Sequence, residues 1–323
     1  MKKNKGFTLA EALLTMTVMG VVAALLIPTV VSDVRENANK AKAMALKVDL
    51  SGALSKMVML ENRINKNPDG QNEAEQNDDI TGEFVVYHLA KYMKFSKICS
   101  SGVSNIANNS EDIEISNNYA DCGWIQNSAY RDYELVNTFN VYDLAQTDEN
   151  LDTAWAARTQ NGISLLISYN PFCADSPSAY INAGDDDLRQ PMCLNIIYDV
   201  NGRTSPNIIG NDVGFATVFF GRNPEVALPV LTGNFDVSKS YNYSDAEKFC
   251  GENSTSGNEG IPSAEEFLSL HINSKILPDS MNIKNKALVF VNSPTKWTKN
   301  YLKHFGVDNP NINQSGGVIC TYK

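Results

Sequence analysis

From Phe7 to Val31 the sequence holds one charged residue, Glu11, in a run otherwise apolar or uncharged, and a basic stub, Met1 to Gly6, precedes it. A helix rising ~1.5 Å per residue needs about 20 residues to cross a hydrocarbon core of ~30 Å, so the run is long enough to span a bilayer. After Val31 the pattern turns amphipathic. Charges enter at Asp33, Arg35, Glu36, Lys40 and Lys42, while Val34, Ala38, Ala41, Ala45 and Val48, then Leu46, Leu50, Leu54, Met57 and Leu60, recur at helical spacing. The spacing predicts one helix from Phe7 to about Glu61, roughly 80 Å long. Its small-residue side, Ala38, Ala41 and Ala45, is expected to lie against the underside of a β-sheet.

The pattern stops between Asn62 and Gly82, where Asn67-Pro68-Asp69-Gly70 signals a turn and the residues after it are polar and acidic. Phe84 to Phe95 reads as a short amphipathic helix with His88 on or beside its apolar face. Ala154 to Tyr169 reads as a hairpin around Gln160-Asn161-Gly162, because Asn-Gly readily adopts the positive φ angles of a tight hairpin turn. Leu194 to Tyr198 is a further strand. Pro224 to Pro229 closes this part. Beyond it, Tyr243 to Glu252 predicts a short helix, and Ile261 to Leu270 predicts another, opened by Pro262 and capped by Ser263. Ala287 to Val291 and Gly317 to Tyr322 read as strands, with Trp297 between them. The fold class is α+β: a long N-terminal helix on an antiparallel sheet, plus a C-terminal α+β unit stapled by a disulfide.

Glu11 changes the reading of the apolar run. A charge near the middle of a membrane span costs about 2.5–3.5 kcal/mol, less near its end, so such a residue implies a partner. A secretory signal peptide has a shorter apolar region followed by a small-residue cleavage site, and a plain anchor has no use for the carboxylate. Gly6 to Pro28, GFTLAEALLTMTVMGVVAALLIP, resembles the class III signal of type IV prepilins and type II secretion pseudopilins. The resemblance implies cleavage after Gly6 by a prepilin peptidase and methyltransferase and N-methylation of Phe7. It also implies pairing of Glu11 with the terminal amine of a neighbouring subunit, a helix-breaking role for Pro28, and assembly through inner-membrane machinery. Ala10 departs from the bulkier aliphatic residue common in the family. The physical argument runs parallel: a new amino group at a helix N-terminus in a low-dielectric setting is strongly stabilised by a carboxylate from another copy. Pro28 lacks the donor for the Ala24 carbonyl, and Gly20 is a second weak point in the helix. Lys2, Lys3 and Lys5 place the stub on the cytoplasmic side and the C-terminus outside. The precursor therefore belongs in the inner membrane and the mature chain in a surface or periplasmic filament.

Six cysteines lie beyond the membrane segment, in a compartment that this topology makes oxidising. Sequence proximity favours Cys99 with Cys122, Cys173 with Cys193 and Cys250 with Cys320 among fifteen pairings. No Cys-x-x-Cys occurs and the histidines, His88, His271 and His304, are scattered, so zinc and thiol catalysis have no motif behind them. No cofactor is expected. Calcium is the one metal with candidate ligands, because Asp199, Asn201 and Asp212 offer oxygens in a turn and Asp185, Asp186 and Asp187 sit together. The EF-hand spacing is not met, and Asp or Asn in turns usually caps its own backbone. The stretch Asp199 to Phe215 resembles the segment that precedes the last strand in pilin-like proteins.

The order of features from Asp236 to Lys323 resembles C-type-lectin-like modules of bacterial surface proteins: a cysteine-bearing helix, a Pro-Ser-x-x-Glu helix start, a tryptophan segment and a terminal cysteine strand. Ile261 stands where leucine is commoner. The division of the chain is thus a leader, 1–6, a long helix, 7–61, with 7–31 in the membrane, a pilin-like head, 62–233, and a lectin-like module, 234–323. The net charge of −10 comes from 27 basic against 37 acidic residues, and loss of the three leader lysines leaves 24 against 37, a sum of −13. That exterior disfavours DNA, whose recognition needs clustered Lys and Arg, although Lys296, Lys299 and Lys303 lie close together in sequence. The expectation is a minor pilin or pseudopilin, not an enzyme, that displays its C-terminal module to a surface ligand. The alternatives are a membrane-tethered enzyme or a DNA-uptake pilin.

Overall fold

The computed structural model of the chain describes residues 9–61, 82–99, 113–116, 119–123, 155–169, 192–202, 204, 209–220, 224–252, 259–273 and 316–322. Helix α1, Leu9–Glu61, is 53 residues long, or about 80 Å by the standard rise. It runs on through Pro28 without interruption. Helix α2 is Gly82–Met93. Strands β1, Phe95–Cys99, β2, Glu114–Ser116, β3, Trp155–Thr159, β4, Ser164–Tyr169, β5, Met192–Asp199, β6, Val213–Phe220, and β7, Pro224–Ala227, form a sheet ordered β2-β1-β3-β4-β5-β6-β7. Every pairing in it is antiparallel except that of β1 with β2. A second sheet holds β8, Leu231–Tyr241, β9, Glu259–Gly260, and β10, Gly316–Tyr322, with β10 in the middle. Helices α3, Tyr243–Glu252, and α4, Ala264–Ile272, complete the chain.

The second half of α1 lies across one sheet face. Leu46, Leu50, Ala53, Leu54 and Met57 meet Val86, Leu89 and Met93 of α2 and the inward residues Leu165, Ile167, Leu194, Ile196, Ala216 and Val218. Two apolar stripes compete for the inward position on this helix, and the expectation that Ala38, Ala41 and Ala45 face the sheet is overturned: all three are exposed. The physical reason is area. Burying leucine or methionine removes far more apolar surface from water than burying alanine, at ~25 cal/mol per Å², so the bulky stripe turns inward. Asn39 and Lys40 are buried at the upper end of the contact, where Asn39 Nδ2 donates to Asn211 Oδ1 at 3.2 Å and Lys40 pairs with Glu36 at 2.6 Å.

The β3–β4 hairpin turns at Gln160-Asn161-Gly162, with Gly162 at φ +82°, a conformation that a side chain would strain. Gly214 faces Tyr198 across β5 and β6, and a Cβ at that position would collide with the phenol ring. Cys99 is bonded to Cys122 and Cys250 to Cys320. Cys173 lies outside the described residues, as do Lys2, Lys3, Lys5, Gly6, Phe7, Asp185 to Asp187, Trp297 and the 287–291 strand; Cys193, His88 and His271 belong to described elements, but their side chains do not. Within Pro224 to Pro229, Pro224 to Ala227 forms the edge strand β7 of the seven-stranded sheet, where a leading proline costs no ladder bond.

Candidate functional site

Two surfaces carry chemistry that the fold alone does not use. The first is the N-terminal half of α1. Leu9, Leu13, Leu14, Met16, Val18, Met19, Val21, Val22, Leu25, Leu26, Ile27, Val30 and Val31 all point outward, with Leu9 79 % and Met19 72 % exposed. None of the most apolar stretch is buried within the molecule. Scattered exposed leucines are ordinary in a water-soluble protein, but a contiguous apolar cylinder is not, and it marks a membrane or protein contact. The two threonines described in this half are satisfied internally: Thr15 donates to the Ala12 carbonyl at 2.9 Å and Thr17 to the Leu13 carbonyl at 2.8 Å. Such back-bonding removes the penalty of carrying a hydroxyl into lipid or a helical bundle. Glu11 is exposed in the first turn of α1, where a carboxylate also complements the helix dipole.

The exposed stripe continues below the membrane span. Val31, Val34, Ala38, Ala41, Ala45, Val48 and Gly52 are all exposed and follow one another at alternating steps of three and four residues. This is the spacing of a helix–helix seam, and small side chains in it allow close approach of two backbones. The stripe flanks the buried Leu46–Leu50–Leu54–Met57 face and is separate from it.

The second surface is the far face of the seven-stranded sheet. Leu166, Ile197, Phe215 and Phe219 point to this side and are buried, so both faces are covered. That is why β5 and β6 read as near-continuous apolar runs and do not alternate with polar residues. Helix α4 packs here on β6 and β7, and its contact is polar. Asn195 of β5 and Asn273, just past the end of α4, exchange amide hydrogen bonds at 2.8 and 3.1 Å. Thr217 of β6 donates to Asn195 Oδ1 at 3.2 Å and shares a 2.7 Å bond with Ser269. Asn273 also donates to the Ser269 carbonyl at 2.9 Å. All four residues are buried. Each such group left unpaired would cost about 1–3 kcal/mol, so the set is stable only when complete.

Glu266 sits one turn earlier on the same face of α4, 5 % exposed. Its Oε1 accepts from Lys47 Nζ of α1 at 3.1 Å, and its Oε2 accepts from the Ser263 amide at 3.1 Å. Ser263 Oγ in turn accepts the Glu266 amide at 3.1 Å, so Ser263 and Glu266 form a capping box. Thr321 of β10 reaches the same carboxylate at 3.5 Å, a weak contact. Sequence reasoning finds the Ser263 cap but not the partner Lys47, because a contact spanning 219 residues leaves no local signal.

Between the end of β5 and the start of β6, Asp199 Oδ1 accepts the Asn201 amide at 3.0 Å, Asn201 Nδ2 donates to Asp212 Oδ2 at 2.9 Å, and the Asp212 carbonyl accepts the Val200 amide at 2.9 Å. These bonds organise the turn ahead of β6. No set of three or more His, Cys, Asp or Glu side chains gathers among the described residues. On β8, Asp236 accepts from Ser238 Oγ at 2.6 Å, Tyr241 OH at 2.8 Å, the Ser238 amide at 3.0 Å and the Lys239 amide at 3.3 Å. The Ser238 hydroxyl and then the Tyr241 phenol hold the Asp236 carboxyl well below the usual carboxylate range. The same bond to Asp236 raises Tyr241. Burial pushes the Tyr198 phenol up.

The prokaryotic N-terminal methylation motif matches residues 1–27, ending at the residue before Pro28. The chain therefore carries a prepilin-type signal, with the apolar α1 segment directly behind it. No curated protein and no solved structure matches the chain.

Proposed function

We propose that this chain is a structural, non-enzymatic subunit of a type IV pilus or type II secretion filament, more specifically a minor subunit that displays its C-terminal part to a ligand. The observation that carries the proposal is the junction of a methylation motif at residues 1–27 with a helix whose most apolar stretch is nowhere buried within its own chain. In this reading Gly6 is the cleavage site and Phe7 the methylated N-terminus. Glu11 faces the amine of a neighbouring copy, and the exposed Val31 to Gly52 stripe packs against adjoining stems. The precursor is held in the membrane with its C-terminus outside, and its processing partner is a prepilin peptidase and methyltransferase.

The size of the C-terminal part supports minor status, since an added unit of some 90 residues crowds a closely packed helical array. Whether a surface glycan or protein is the ligand is decided by binding. Mass analysis of the N-terminus of the native protein checks the processing claim, with methylated Phe7 expected, whereas an intact Met1 overturns it. Turnover of an ester, glycoside or peptide by the purified chain would favour the enzyme alternative, to which no residue arrangement among those described lends support.

A further inference from the structure

We propose that Glu266 and the Asn195–Thr217–Ser269–Asn273 cluster form an orientation-fixing joint, which seats the C-terminal part on the stem helix and the sheet at one angle. Glu266, Ser269 and Asn273 follow at steps of three and four residues, so one face of α4 directs Ser269 and Asn273 at the seven-stranded sheet and Glu266 at Lys47 of the stem. Between these polar positions Phe267, Leu268 and Leu270 are buried and apolar. An all-apolar contact here would hold the helix while tolerating small slips and rotations, because the hydrophobic effect is non-directional. The polar set tolerates none. A slip of α4 would separate Asn273 from Asn195 and Ser269 from Thr217 at once, and leave buried amides and hydroxyls with no substitute partner.

Glu266 extends the constraint to two further elements. Through Lys47 it reaches the stem, and through the Ser263 capping box and Thr321 it reaches the start of α4 and the central strand β10. Strand β10 is in turn bound to α3 by the Cys250–Cys320 disulfide. One carboxylate therefore links α1 directly to the covalently closed C-terminal part. Along the chain, 219 residues separate Lys47 from Glu266. The arrangement serves specificity of orientation more than strength, a distinction that polar-to-apolar replacement can resolve.

The test uses the full chain in detergent micelles with its disulfides intact, spin-labelled at the exposed Asp49 of α1 and Glu247 of α3. Pulsed dipolar spectroscopy then reads the distance distribution. The unsubstituted joint is expected to give a single narrow distribution. The quadruple variant Asn195→Leu, Thr217→Val, Ser269→Ala, Asn273→Leu is expected to melt no earlier, yet to at least double the width. A broad distribution with the joint unsubstituted, or an unchanged width in the quadruple variant, overturns the proposal. If that variant does not fold, the paired substitution Lys47→Met and Glu266→Gln decides: a broadened distribution supports the joint, and an unchanged one overturns it. The measurement is made on unassembled protein, so its failure leaves the filament reading standing, and failure of N-terminal processing leaves the joint standing.

Discussion

The two halves of α1 are one continuous helix with opposite relations to the rest of the chain. Below about residue 39 the helix packs its bulky residues on a sheet that belongs to the same molecule, and Leu54 and Met57 are wholly buried. Above it, side chains of equal size, such as Leu13, Leu14 and Leu25, are exposed. The difference shows that hydrophobicity alone does not assign a helix to a core. What decides is whether the chain supplies a complementary surface, and for the N-terminal half that surface must come from lipid or from other copies.

Substitutions that exchange the properties of the two halves test this contrast. The largest effect is expected from Glu11→Val, which removes the one carboxylate of the apolar run Phe7 to Val31: processing should proceed, while incorporation into filaments, scored in sheared surface fractions, should fall to background. Next, Leu54→Ala should lower the stability of the folded head by about 2–5 kcal/mol. Leu14→Ala, of identical chemistry in the exposed half, should leave it within ~0.5 kcal/mol, both read by thermal unfolding in detergent. A finer cut compares Ala43 with Ala45, two positions apart on the same helix, one buried and one exposed. Ala43→Leu should overpack the sheet contact and cost about 1–3 kcal/mol. Ala45→Leu should spare stability and depress assembly by widening the stem seam. Equal losses of stability from the two would erase the distinction between inward and outward stripes.

The smallest effect lies away from the stem. Asp236 has a lowered folded-state pKa, so the unfolded chain binds its proton first as the pH falls. Its contribution is fully present above about pH 4 and is lost as the pH drops through the lower folded value. The melting-temperature gap between the parent and Asp236→Asn should therefore be positive at pH 7 and shrink below pH 4. A gap of the same size at pH 4 and pH 2 would show that the carboxylate's charge is not what its four hydrogen bonds use.

Residues with local consequences were legible in the sequence. The end of α1 at Glu61, the Asn161-Gly162 turn, the Ser263 cap and the terminal strand follow from propensity, turn chemistry and spacing, because each is decided by neighbours within a few positions. Other features escaped, several of them for identifiable reasons. Strand β8, LTGNFDVSKSY, looks too polar to be a strand because it carries a large bulge: Asp236 to Tyr241 lies opposite only Val318 to Gly316, and the extra residues Ser238, Lys239 and Ser240 are exposed. The short strand β2 is held by its parallel pairing with β1 and by the neighbouring Cys99–Cys122 bond, neither of which propensity registers. The inward face of α1 was misread because two periodic stripes satisfied the same rule, and only the volume of the opposing sheet surface chooses between them. The polar joint was out of reach altogether: Asn195 and Thr217 look like blemishes in apolar strands until Ser269 and Asn273 stand opposite them.

Strand β10, the last of the described strands, occupies the centre of its sheet, between β8 and β9. Strands β8 and β9 are made before β10, so the pairing edge that it fills stays open until residues 316–322 have been made and brought to where this part folds. A truncated or stalled product would present both open edges, the kind of template on which strands of other chains add. Production of this protein is thus expected to be sensitive to premature termination out of proportion to the residues lost, with the missing tail costing an entire layer of folded structure.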